Sequence, residues 1–202
     1  REGLALVDEA TGSDWHHGPI SETNFMSRGY YGVMLSWLGR MSEAQANLSS
    51  AQAFAEREDR TASWMYAAQV DVDWISRRGS QSLASARRAY ERAQASSSPF
   101  FNAMALRALG VAHTLQGDYA QAIDFLEQSL PLVAPGSFAY QFEPAHRAAL
   151  ARACLGAGRA EEAARHAQHC VDSARKSGAQ VYEIHAWIAL LELRATVVPA
   201  AL

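Results

Sequence analysis

Four glycines, Gly39, Gly79, Gly117 and Gly158, recur at intervals of 40, 38 and 41 residues along this chain of 202 residues. Seven positions before them stand Gly32, Val72, Gly110 and Ala151; five positions after them stand Ala44, Ala84, Ala122 and Ala163. Between the glycines the apolar residues keep a helical period. Tyr119, Ala122, Ile123, Leu126 and Leu130 form one stripe, and Ala105, Leu106, Leu109 and Ala112 form another, each the mark of a helix with one buried side. Gly117-Asp118 stops one helix and supplies an acidic cap for the next. Small residues on both sides of a glycine turn let two helices approach closely, so each interval reads as one helical hairpin.

Helix boundaries follow from this punctuation. A helix over 2–10 comes first, followed by a polar linker over 11–21. The pairs are then 22–38 with 41–57, 60–77 with 80–96, 99–115 with 119–133, and 141–156 with 160–177, and a last helix spans 180–196. In the second unit the stripe returns two residues late, as Leu83, Ala86, Tyr90 and Ala93. The segment Gly79–Ser82 therefore reads as a turn about two residues longer than its siblings. Ala134-Pro135-Gly136-Ser137 is a further break. Forty alanines suit helices, alanine being the best helix former, and strand signals are weak throughout. The expectation is an all-α, α-α superhelix of four to five hairpins, forming one domain over 1–202 because each repeat buries its face against the next.

Composition removes several classes of function. The 18 basic and 21 acidic residues leave a formal charge of -3, no basis for nucleic acid as the main partner. No apolar run approaches the length of a spanning helix, and no export signal opens the chain. Two cysteines are not a disulfide framework. Lys176 is the only lysine, a bias read with the alanine content as a bacterial, cytoplasmic origin. Arg1 in first place suggests a piece of a larger protein.

The search for chemistry is mostly negative. No phosphate-loop, dinucleotide, H-E-x-x-H or G-x-S-x-G pattern occurs, so no catalytic residue, cofactor or metal is expected. His166, His169 and Cys170 share a helix face, but without a fourth ligand they read as a buried cysteine beside two exposed histidines. Cys154 and Cys170 read as two packed thiols. Asp73 stands four residues before Arg77 and is expected to form an exposed i,i+4 pair. Arg77, Arg78, Arg87, Arg88 and Arg92 gather in the second hairpin, a solvated face or a receptor for an acidic segment or phosphate.

The segment Leu106-x2-Leu109-Gly110-x2-His113-x3-Gly117-x-Tyr119-x2-Ala122-x3-Leu126 resembles a tetratricopeptide repeat. Its pattern is W-x2-L-G-x2-Y, A-x3-F and P at a period of 34. Here His113 stands for the tyrosine, Ala103 or a neighbour for the tryptophan, and the period is near 40. Trp37–Ala44 and Gly156–Ala163 are similar to the enlarged repeats of bacterial maltose-activator-like regulators and multidomain adenylate or guanylate cyclases. The resemblance implies a concave groove lined by the first helix of each pair. Carried over residue by residue, its wall takes Trp37 from the first unit; Tyr66, Gln69, Asp73 and Arg77 from the second; Met104 and Arg107 from the third; and Arg152 from the fourth. The function implied is a non-catalytic protein- or peptide-binding scaffold in a signalling protein. Its partner would be a protein segment or another domain of the same polypeptide. The alternative is the small-molecule sensor arm of a transcription regulator or nucleotide cyclase. The apolar last helix adds self-association as a homodimer.

Overall fold

A computed structural model describes residues 24–57 and 62–197; the helix read over 2–10 and the linker after it lie outside them. The described residues are all-α, without a strand, in two compact units, Arg1–Ser96 and Ser97–Leu202. Unit 1 holds α1 (Phe25–Trp37), α2 (Met41–Arg57), α3 (Ala62–Ser76) and α4 (Gly79–Ser96). Unit 2 holds α5 (Pro99–Gln116), α6 (Tyr119–Ser129), α7 (Glu143–Gly156), α8 (Ala160–Ser177) and α9 (Gln180–Val197), with two short 3-10 turns between α6 and α7. The main pairings are hairpins: α1 with α2, α3 with α4, α5 with α6 and α7 with α8. Successive hairpins also touch within a unit, α3 lying on α1 and α2, and α7 on α5 and α6, while α9 packs on α7 and α8. Each unit is therefore a stack of helical repeats. No helix among the described residues is long and apolar enough to cross a membrane.

The four hairpin turns are built alike. Gly39, Gly117 and Gly158 are left-handed, with φ of 77°, 79° and 74°. In each turn the left-handed residue donates its N–H to the carbonyl three residues back, and the next residue donates to the carbonyl five back. This pair of bonds satisfies the last open carbonyls of the first helix. The second hairpin makes the same two bonds, Arg77 N–H to the Trp74 carbonyl and Arg78 N–H to the Asp73 carbonyl, but its left-handed residue is Arg77, with φ 55°. The longer turn read over Gly79–Ser82 is thus corrected: Gly79 already belongs to α4. The repeat anchor is Arg77, two residues upstream, which also accounts for the late stripe.

With Arg77 as anchor, all four repeats fall into one register. The fifth residue after the anchor is Ala44, Ser82, Ala122 or Ala163, and the ninth is Leu48, Ala86, Leu126 or Ala167. The twelfth is Ala51, Ala89, Ser129 or Cys170, and the sixteenth is Ala55, Ala93, Val133 or Ala174. Every one of these residues is 0% exposed. Seven residues before the anchor stand Gly32, Val70, Gly110 and Ala151, so Val70 and Ser82 replace the Val72 and Ala84 assigned from sequence. Among the described residues more than half of the buried apolar side chains are alanine, which brings the helices of a pair close together.

One boundary shifts and another holds, each for an identifiable reason. The helix read over 119–133 ends at Ser129 and continues as a 3-10 turn over Leu130–Val133. Pro131 has no N–H for the next α-helical bond, yet Val133 keeps its buried place. At the start of α5, Ser98 caps through Phe101 N–H with Pro99 in the first turn, the arrangement proline favours. On α9, Ile184, Trp187, Ile188 and Leu191 form an exposed apolar stripe.

A candidate ligand pocket in unit 1

Unit 1 carries an open pocket of about 470 Å³. Gln45 and Gln52 line it from α2, and Tyr66, Gln69 and Asp73 from α3. Arg78 comes from the following turn, and Gln81, Ala84, Ser85 and Arg88 from α4. Tyr66, Gln69 and Asp73 stand three and four residues apart, a little less and a little more than one helical turn, so one face of α3 carries all three. Apart from Ala84, every lining side chain is polar.

The polar groups form a chain. Gln45 and Gln69 exchange amide hydrogen bonds at 3.0 and 3.1 Å. Gln45 also donates to Ser49 Oγ at 3.1 Å, and Gln69 donates to Asp73 Oδ1 at 2.9 Å. A carboxylate only accepts, so Asp73 fixes which way the Gln69 amide points, and Gln69 in turn orients Gln45. Gln52 donates to the Met65 carbonyl at 3.2 Å. On the opposite side Tyr66 donates its hydroxyl to Glu56. Arg88 donates to Tyr66 Oη at 3.2 Å and stands 5.6 Å above the Tyr66 ring centroid. Its guanidinium also approaches Glu56 at 4.0 Å. Burial raises the Tyr66 pKa, and the bond to Glu56 adds to the effect.

Asp73 breaks the pattern of the repeats. Four residues before the anchor the other hairpins have Leu35, His113 and Cys154, with Leu35 and Cys154 enclosed. In the second hairpin that place holds a carboxylate only 1% exposed. Its Oδ2 is buried and has no hydrogen-bond partner among the described residues. Burial pushes the Asp73 pKa up, opposed by the Gln69 hydrogen bond and the nearby positive charge of Arg78. A buried acceptor without a donor costs stability. The exposed Asp73–Arg77 pair read from sequence is corrected: Asp73 is buried and bound to Gln69, and Arg77 is exposed at the turn.

The eight groove residues separate by unit. Tyr66, Gln69 and Asp73 meet in the pocket, Trp37 is half-buried at the end of α1, and Arg77 is exposed. In unit 2, Met104 is fully enclosed and Arg107 is 5% exposed, while Arg152 forms an ion pair with Glu192 of α9. Sequence reasoning missed Gln45, Gln52, Gln81 and Ser85 because it looked only along the first helices. Gln45 and Gln52 lie seven residues apart on α2, a spacing that places both on one face.

Other reactive groups are tied into the frame of unit 2. Cys170 donates to the carbonyls of Pro144 and Tyr182, and burial raises its thiol to about 12 and that of Cys154 to about 11. His169 contacts Glu143 at 3.1 Å, and His166 contacts Arg147 at 3.1 Å, so the three residues His166, His169 and Cys170 point to separate partners. Among the described residues no group of three or more His, Cys, Asp or Glu side chains is placed to hold a metal ion. Ser129 Oγ donates to the Leu126 carbonyl at 2.6 Å and stands 2.8 Å from His146 Nδ1. The His146 imidazole is 0% exposed.

No protein-family model matches the sequence, and no curated protein matches it.

Proposed function

We propose that this chain is a non-catalytic binding module, a tetratricopeptide-like helical-repeat scaffold with enlarged repeats, that serves as an interaction or regulatory domain of a bacterial signalling protein. Its ligand is a protein or peptide segment, and its principal contact is the Asp73 pocket. The observation that carries this reading is the buried, half-satisfied Asp73 carboxylate in a polar hollow, at a place where two of the other three repeats enclose Leu35 and Cys154. Pre-oriented polar groups in a concavity recognise a ligand at little cost in ordering. The glutamine amides suit a peptide main chain, which presents both donors and acceptors.

A second reading is the small-molecule sensor arm. The pocket volume of about 470 Å³ favours it, since small-molecule sites span roughly 300–1,000 Å³.

An array of random dodecapeptides, probed with the wild-type protein and with Asp73→Leu, tests the module. The wild type is expected to retain a subset of segments that the variant loses. The variant should keep its helical circular dichroism and change stability by less than about 1 kcal/mol, because leucine removes an unpaired buried acceptor but leaves the Gln69 amide without the oxygen it donates to. Equal retention by both proteins would rule the pocket out as the binding surface.

A further inference from the structure

The pocket is rich in acceptors and asks its ligand for donors. Asp73 Oδ2 is enclosed without a partner, while Oδ1 already takes Gln69. Both amide hydrogens of Gln69 are engaged, one by Asp73 and one by Gln45. The Gln52 amide donates to a main-chain carbonyl, which leaves its Oε1 to accept. Neutral donors satisfy such oxygens weakly; a buried carboxylate is best met by a cation that also donates hydrogen bonds.

A bare cation would meet repulsion, because the same pocket carries two arginines. Arg88 has its charge offset by Glu56 at 4.0 Å. Arg78 is exposed, forms no ion pair among the described residues, and lies near enough to Asp73 to lower its pKa. A ligand that brings an anion beside its cation answers both groups. A single ligand can meet both, since Asp73 and Arg78 line the same pocket.

We propose that the pocket binds a primary ammonium group carried beside a carboxylate, the ammonium donating to Asp73 and the carboxylate meeting Arg78. This rests on the binding-module reading and names the chemistry its pocket selects. A free α-amino acid supplies the pair, and so does a polypeptide whose amino terminus or lysine stands next to an acidic residue.

Titration calorimetry on the whole chain separates these sources. One arm uses the free L-amino acids singly. The other uses a hexapeptide with a free amino terminus followed by glutamate, and the same peptide N-acetylated. Binding is expected in at least one arm, and the arm identifies the source. Blocking the amine, or substituting Asp73→Asn, should weaken it about thirtyfold or more, the loss seen when one partner of a buried charge pair is removed. Arg78→Gln should weaken it as well, and Glu183→Gln, in unit 2, should leave it unchanged. An acetylated ligand bound as tightly as the free amine, full binding by Asp73→Asn, or no binding in either arm would each overturn the assignment. Amine-blocked array peptides retained by the wild type and lost by Asp73→Leu would overturn it while leaving the binding module standing.

Discussion

Substituting leucine for Gly110 is expected to cost unit 2 about 3 kcal/mol and to lower its melting temperature by roughly 10–20 °C. Gly110 lies on α5 where Leu126 of α6 presses against it, and a Cβ there would overlap the Leu126 side chain. Gly32 holds the same register position in unit 1, where a Cβ would come within 3.0 Å of the Ala44 carbonyl oxygen. The close approach thus recurs in the first and third hairpins, while the second and fourth carry Val70 and Ala151 at that place. Leu126→Ala alone should cost about 2–5 kcal/mol by opening a cavity. Combined with Gly110→Leu it exchanges a large residue for a small one across the same contact, so the double variant should be more stable than the two losses added together. Urea denaturation of the four proteins measures this. Strict additivity, or a Gly110→Leu variant as stable as wild type, would show that α5 and α6 do not meet as described.

Unit 2 should also lose stability as the pH falls from about 6.5, the ordinary histidine pKa, toward about 4. Burial holds His146 well below its usual value, with the Arg107 charge as a second cause. Burial, with Arg147 next in weight, lowers His166 to about 4. Between the unfolded and folded values the unfolded chain binds protons that the folded unit does not. Acid therefore favours unfolding in that window, by at most about 1.4 kcal/mol per pH unit for each histidine. Above the window both states are neutral at these sites, and they add no pH dependence. Urea midpoints for the wild type between pH 7.5 and pH 4.5 should fall with pH, and His146→Gln or His166→Gln should flatten the fall. Midpoints that hold steady down to pH 4.5 would mean that these imidazoles are not enclosed as neutral groups. Asp73 acts with the opposite sign in unit 1: its raised pKa makes the folded form the better proton binder, so its contribution falls as pH rises through the folded value.

Most helix limits were legible because glycine, proline and capping residues interrupt a strong helical period. Gly39, Gly117 and Gly158 sit where the chain needs a left-handed residue, and Ser98-Pro99 opens α5 as its chemistry requires. Arg77 was not legible, since nothing in an arginine announces a positive φ, and Gly79 nearby offered a plausible substitute two residues away. Pro131 shortened α6 in a way its own missing N–H explains. The resemblance to tetratricopeptide repeats led to Tyr66, Gln69 and Asp73, yet it missed Gln45 and Gln52. The Gln45–Gln69 exchange joins side chains 24 residues apart, and pairings at that separation leave no local period. Nor does Asp71-x-Asp73 disclose that one carboxylate is half-buried and the other enclosed. That follows only from the two-residue shift of the second repeat.

The alanine lining of the repeats bears on how this protein responds to temperature. Each alanine removes one methyl group from water where leucine would remove four carbons, so melting exposes little oily surface for the length of chain released. The heat-capacity increment, which tracks that surface, is correspondingly small. The dependence of stability on temperature is then a shallow arch, falling off gently in the cold, where the water-driven part of folding fades.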